Sequence, residues 1–269
     1  NNSTNETVYP TFVDGATGTQ GLETDTGLTY NPSTGALTAT SFAGDGSALT
    51  GLAAGGGDFN TSISEYATGT VSSSMATFFT SNSSTSHRTI IHSCRVANYS
   101  ASEVTVSGEL YGSISFAHLI PIPAGSAVEL LKKPKVLAVS QTLELQASAG
   151  TSLQATVSAE RQENTDLYGV GVDLTSTSET DIFVLTAAAV VESILLCNDD
   201  GTNDVKMQVK WTNGSNNGQS LLCKDLVVPA GATVELLEKP LAMPSGHKIR
   251  ATANIANRCE VIASYKVAS

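Results

Sequence analysis

The twelve residues PAGSAVELLKKP at 123–134 recur as PAGATVELLEKP at 229–240, with nine positions identical and a constant offset of 106. Such a chain either uses one binding motif twice or builds one fold twice. The flanks favour the second reading. Upstream, TIIHSCRVAN (89–98) aligns with AVVESILLCN (189–198) at an offset of 100. Downstream, placing Leu145 of LELQASAG on Ile249 of KIRATANI gives an offset of 104. An offset that drifts by a few residues puts small insertions between like strands, where loops tolerate them. Two repeats follow, 66–160 and 168–269, with the polar stretch RQENTDL (161–167) as linker. Functional specificity is then to be sought where the copies differ.

Within each repeat the apolar period is two. EVTVSGEL and DVKMQVKW alternate as half-buried strands do, and turn signals such as PAG, KKP, SAGTS, DDGTND and EKP punctuate them. The longest apolar stretch, Val184 to Val191, reads as one buried strand. About a hundred residues and roughly seven short strands, with no helical pattern, predict an antiparallel β-sandwich in each repeat. The fold class is all-β: an extended N-terminal β-rich segment followed by two tandem sandwiches.

The first 57 residues are different. They are rich in Gly and Thr, and their larger apolar residues are sparse: Phe12, Val13, Leu22, Leu28, Tyr30, Leu37, Phe42, Leu49 and Leu52. So few apolar side chains cannot offset the entropy of ordering the segment within one chain. Yet LTY-NPSTG-ALTAT carries hairpin chemistry, and GDGS reads as a second turn. Strand signals without enough apolar residues suit an intertwined oligomer, so these nine residues are the candidate oligomerisation and docking set. Residues 58–65 follow AAGGG as a flexible joint. The chain opens at Asn1 without an initiator Met or signal-peptide pattern, as a processed form or a fragment would.

Composition excludes several partners. The formal net charge is −11, and the densest basic cluster is only Lys132, Lys133 and Lys135. Nucleic acid is therefore not expected as a partner. No apolar run approaches the roughly 18 residues that a membrane-spanning helix needs.

The run LTYNPSTGALTATSFAGDGSALTGL, preceded by TVYPTFVDGATG, resembles a segment common in structural proteins of tailed bacteriophages, marine and cyanobacterial phages in particular. The resemblance covers about residues 7–52. It implies a virion fibre or other appendage, of a generally trimeric kind, bound to other virion proteins at the particle surface. The paired repeats look more loosely like immunoglobulin-like modules of phage surface proteins, although the Cys…Trp…Cys pattern of true immunoglobulin domains is missing. A capsid decoration protein is the alternative within the virion, and a secreted bacterial adhesin or carbohydrate-binding module the alternative outside it.

No catalytic, metal or cofactor site is expected. His87, His92, His118 and His247 are scattered, and the sequence has no GxSxG, HExxH, P-loop or GxGxxG motif. Cys94 lies two residues from His92, which alternation places on one strand face, but nothing completes a nucleophilic site. NDDGTND (198–204) lacks the twelfth-position Glu of a calcium loop, since Val209 stands there, and reads as a turn. Glu129 and Glu235, equivalent in the two repeats, read as solvent-facing strand residues. The four cysteines, Cys94, Cys197, Cys223 and Cys259, replace apolar residues between the copies and read as core thiols, with a Cys223–Cys259 bridge as the alternative. One loop, WTNGSNNGQ, combines an aromatic with polar residues. Trp211, Asn213, Ser215, Asn216 and Asn217 are therefore the candidate ligand set, with a host-surface glycan as candidate ligand.

Overall fold

A computed structural model describes residues 3–13, 21–40, 63–163, 166–215 and 220–268, which are all-β, with no helix among them. The chain divides into two compact units, Asn1–Phe59 and Asn60–Ser269.

The described residues of the first unit form two hairpins. Strand β1 (Thr11–Val13) pairs with β2 (Leu22–Thr24), and β3 (Leu28–Asn31) pairs with β4 (Ala36–Ala39). The NPSTG turn forms as its residues dictate: Asn31 Oδ1 accepts from the Ser33 amide, and Gly35 supplies the left-handed residue at φ +71°. The GDGS turn lies outside the described residues.

The described residues of the second unit form two sandwiches of nine strands each. The first runs β5 (Ile63–Thr70), β6 (Ala76–Thr80), β7 (Arg88–Asn98), β8 (Val104–Leu110), β9 (Ile114–Ile122), β10 (Ala127–Glu129), β11 (Lys135–Leu137), β12 (Thr142–Ala147) and β13 (Leu153–Gln162). The second runs β14 (Leu167–Asp173), β15 (Thr180–Val184), β16 (Ala189–Asn198), β17 (Val205–Thr212), β18 (Ser220–Val228), β19 (Thr233–Glu235), β20 (Leu241–Met243), β21 (Lys248–Ala253) and β22 (Cys259–Val267). In the first, one sheet is β5-β13-β7 with β10 and β11 on the far edge of β7, and the other is β6-β12-β8-β9. The second repeats this order strand for strand.

All these pairings are antiparallel and nested. The first strand pairs with the last, the second with the next to last, the third with the broken strand β10/β11, and the fourth with the fifth. That nesting is a jelly roll, a long hairpin rolled into two sheets. The sandwiches are as the sequence indicates, but their strand order corrects the immunoglobulin-like likeness. An immunoglobulin domain does not pair its first strand with its last in this way. Alternation tells which residues face inward; it says nothing about which strand lies beside which.

Backbone conformation records the duplication more faithfully than sequence does. Left-handed residues recur at an offset of 106 as Leu119 and Asp225, Gly125 and Gly231, Ser140 and Gly246, Thr151 and Asn257. The ladder also corrects the downstream register. Leu143 stands opposite Leu110 and Ile249 opposite Trp211, so Leu143 matches Ile249 and the offset of 106 continues unbroken. A second correction concerns Val184–Val191. β15 ends at Val184 and β16 begins at Ala189, with a turn between them closed by Leu185 N to His247 O and Gly246 N to Leu185 O.

Each sandwich encloses its own core, led by Ile91, Phe116, Leu143 and Leu153 in the first and Ile194, Met207, Ile249 and Val261 in the second. All four cysteines are free. Cys94, Cys197 and Cys259 are buried and Cys223 is half-buried.

Candidate assembly and binding surfaces

Among the described residues, the N-terminal hairpins hold no buried side chain. Phe12 is 43% exposed and Leu22 78%, and Val13, Tyr30 and Leu37 are exposed as well, while Leu28 is half-buried. Two-stranded hairpins are marginal in water without an apolar face packed on something else. Phe42, Leu49 and Leu52 lie outside the described residues.

Glu129 and Glu235 are more than solvent-facing strand residues. Strand β7 carries a bulge at His92 against β13, and β16 carries the same bulge at Glu192 against β22. A bulge leaves backbone groups without ladder partners. Glu129 Oε1 accepts from the Cys94 amide at 2.7 Å and its Oε2 from Ser93 Oγ at 2.6 Å. Glu235 does the same with the Ile194 amide at 2.9 Å and Ser193 Oγ at 2.8 Å. The Glu of the repeated VELL and a Ser 36 or 42 residues upstream therefore form one device, used twice. A second repeated anchor is Asn98 and Asn198. Each side-chain amide donates into the following loop and to the end of the fifth strand, at Ile122 O and Val228 O.

The second copy of the Glu–Ser device has a further use. Lys135, on β11 of the first sandwich, is fully buried and donates to Ser193 Oγ at 2.5 Å and Glu235 Oε2 at 3.1 Å. Burial lowers the pKa of its ammonium, and Glu235 opposes that. Around this pair the two sandwiches form a tight seam. Val136 N donates to Ser264 Oγ, Ser115 N to Glu260 Oε2, and Leu195 and Ile262 of the second sandwich join the core cluster of the first. Gly169 and Gly171 lie under it. A Cβ on Gly169 would strike the Val136 carbonyl oxygen, and one on Gly171 would sit 2.7 Å from the Tyr111 ring.

The copies differ at these places. By ladder position, Tyr66 and Thr68 stand in the first sandwich where Gly169 and Gly171 stand in the second. Arg95 replaces Leu195, Thr156 replaces Ile262, and Leu241 takes the place of Lys135. The corresponding face of the first sandwich is polar and exposed. The seam therefore joins two halves of one chain and is not a contact that repeats from copy to copy.

Glu260 carries a strained charge in this seam. Burial pushes its carboxyl up to about 7, with the Asp199 and Asp173 charges adding and the Ser115 amide opposing. Asp173 faces it across the ladder, and one Asp199 carboxylate oxygen is buried without a hydrogen-bond partner.

The candidate ligand loop is partly described. Trp211 is half-buried, and its indole N–H donates to His247 Nδ1 at 2.8 Å. Thr212 Oγ1 and Asn213 Oδ1 are buried without partners, and Ser215 is exposed. Asn216 and Asn217 lie outside the described residues. His92 and Cys94 do not share a face: the bulge turns His92 out toward Glu160, and Cys94 is buried. Burial also raises the pKa of the Cys94 thiol, the wrong direction for a nucleophile. In NDDGTND, Asp200 accepts from Thr202 and Asn203, which lowers its pKa and closes a turn. Among the described residues no group of three or more His, Cys, Asp or Glu is placed to hold a metal ion.

No family model matches the chain, and no curated protein matches it. Among solved structures, it is similar to the STIV MCP at 11% identity over 75% of this chain and 96% of that one, with a TM-score of 0.26. The tandem CBM22 domains of Paenibacillus barcinonensis Xyn10C match at 7% identity over 70% and 80%, with a TM-score of 0.22. A structure of the infectious bursal disease virus Gt strain matches at 8% over 78% and 77%, with a TM-score of 0.20. Similarity this low carries no weight for function, and the jelly-roll assignment rests on the strand pairing itself.

Proposed function

We propose that this chain is a non-enzymatic structural protein of a phage virion, in which residues 1–57 assemble three copies and dock them on the particle, and the double jelly roll is displayed at its surface. The observation that carries this reading is the N-terminal unit, whose described residues expose Phe12, Val13, Leu22 and Leu37 and include no buried side chain. Such a unit gains an interior by contact with further chains. The resemblance of residues 7–52 to phage structural segments supplies the setting. Three copies held together would also turn a weak site on each sandwich into useful avidity.

Within the virion, the seam favours a capsid-surface role. Two sandwiches locked through Lys135, Glu235 and a shared apolar contact behave as one block, which suits a subunit that covers a shell. A fibre of independent beads needs no such seam. The fibre or appendage reading retains the support of the N-terminal resemblance. Immunogold labelling of intact particles with antibody to the double jelly roll tests both: label over the head supports the capsid role, label on the tail supports the appendage, and particles without label would overturn the proposal.

A further inference from the structure

One opening remains in the seam between the sandwiches. A cleft of about 440 Å³ is walled by Ile90, Pro134 and Val136 of the first sandwich and Leu167, Pro240 and Tyr265 of the second. Pro134 and Pro240 are the closing prolines of the two PAG motifs, so both copies of the repeat contribute to one concavity. Its volume lies within the range of small-ligand sites, and like them it combines apolar walls with a few polar groups.

Four polar side chains line this cleft, His92, Lys133, Glu192 and Ser264, of which Lys133 is the cation and Glu192 the anion. His92 Nε2 is engaged by Glu160 at 3.0 Å. Ser264 Oγ accepts from the Val136 amide, and its own proton is left to donate. Lys133 Nζ donates to the Glu192 carbonyl at 3.2 Å, and an ammonium has two further N–H bonds to give. The walls offer methyl and methylene surface. Tyr265 is stacked with Tyr168 at 5.1 Å and Phe183 at 4.7 Å, so its ring is already engaged by two aromatic neighbours.

We propose that this cleft binds an aliphatic carboxylate, with its chain between Pro134 and Pro240 and its acid group on Lys133. The site is independent of the virion reading, since it needs only the folded double jelly roll. Being built from both sandwiches, it also makes ligand binding a reporter of the closed seam.

Isothermal titration calorimetry of the full chain with octanoate, decanoate and octylamine tests this. The expected result is saturable one-to-one binding of the acids, with decanoate roughly tenfold tighter than octanoate for its two extra methylenes. Lys133→Met should weaken both acids about tenfold, and Ile90→Phe, which fills the cleft, should abolish binding. Absence of saturable heat at millimolar acid would overturn the proposal. So would octylamine binding more tightly than octanoate, or affinities unchanged in both variants, which would place any binding elsewhere on the chain.

Discussion

Lys135 of the first jelly roll and Glu235 of the second meet 3.1 Å apart, with side chains 0% and 7% exposed. This is a buried ion pair between two halves of one chain, and Ser193 completes it. Desolvation makes such a pair a poor source of net stability, but breaking it on one side is costly. Glu235→Gln should therefore destabilise the chain by about 3–5 kcal/mol, because Lys135 is left buried without its counter-ion. The double variant Lys135→Met/Glu235→Gln should lose much less than the sum of the singles. Urea denaturation of the three variants measures the coupling.

The two glutamates of the repeat should respond unequally. Glu129→Ala removes an acceptor from the Cys94 and Leu131 amides at an exposed site, for a cost of about 1–2 kcal/mol. Glu235→Ala removes the same bulge anchor and strands Lys135 as well, so its loss should be at least twice as large. Equal losses measured by denaturation would mean that the ion pair contributes nothing.

Stability should depend on pH through Glu260. Its folded pKa of about 7 lies above the ordinary value near 4.5, so the folded state holds a proton that the unfolded state releases in that window. The associated stability is fully present below about pH 4.5 and is lost as pH rises through 7, a change on the order of 2–3 kcal/mol. Glu260→Gln should flatten this slope while keeping an acceptor for the Ser115 amide. The first copy already carries Gln at the same ladder position, Gln154. Denaturation midpoints at pH 5 and pH 8 for the two proteins check it.

The close approach at Gly169 gives a steric prediction. Gly169→Ala forces a methyl group into the Val136 carbonyl and should cost about 1–3 kcal/mol or open the seam. Tyr66→Gly, at the equivalent place in the first sandwich, touches no such contact and should cost far less. Hydrogen exchange of the Val136 amide, which Ser264 Oγ holds across the seam, reports opening directly.

Much of this was legible in the sequence, and the reasons for the rest are physical. The repeat at 123–134 and 229–240 announced two like domains because a PAG turn needs Gly at a left-handed position, and Gly125 and Gly231 do sit at φ +68° and +67°. Period-two patterning marked the core faces. It could not give the strand order, which depends on pairing between distant segments, nor the bulges at His92 and Glu192, which shift every following residue of the strand to the other face. That shift is why His92 and Cys94 appeared to share a face, and the amides next to the bulges are what Glu129 and Glu235 accept from on the neighbouring strands. The seam left its signal in the differences between copies: glycine against Tyr66 and Thr68, Leu195 against Arg95, Ile262 against Thr156. Reading the duplication for identity alone passes over them. Phe12, Leu22 and Leu37 were legible as too few for a core and are exposed in the hairpins; their docking role is a proposal.

The claim that the N-terminal unit exists to be buried against other copies is tested most directly by sedimentation velocity of the full chain at micromolar concentration. The account predicts a species of three times the 27.7 kDa chain mass. It also predicts conversion to the single-chain mass in the variant Phe12→Ser/Leu22→Ser/Leu37→Ser, with the double jelly roll still folded. A full-length chain that sediments as a monomer at that concentration would contradict it.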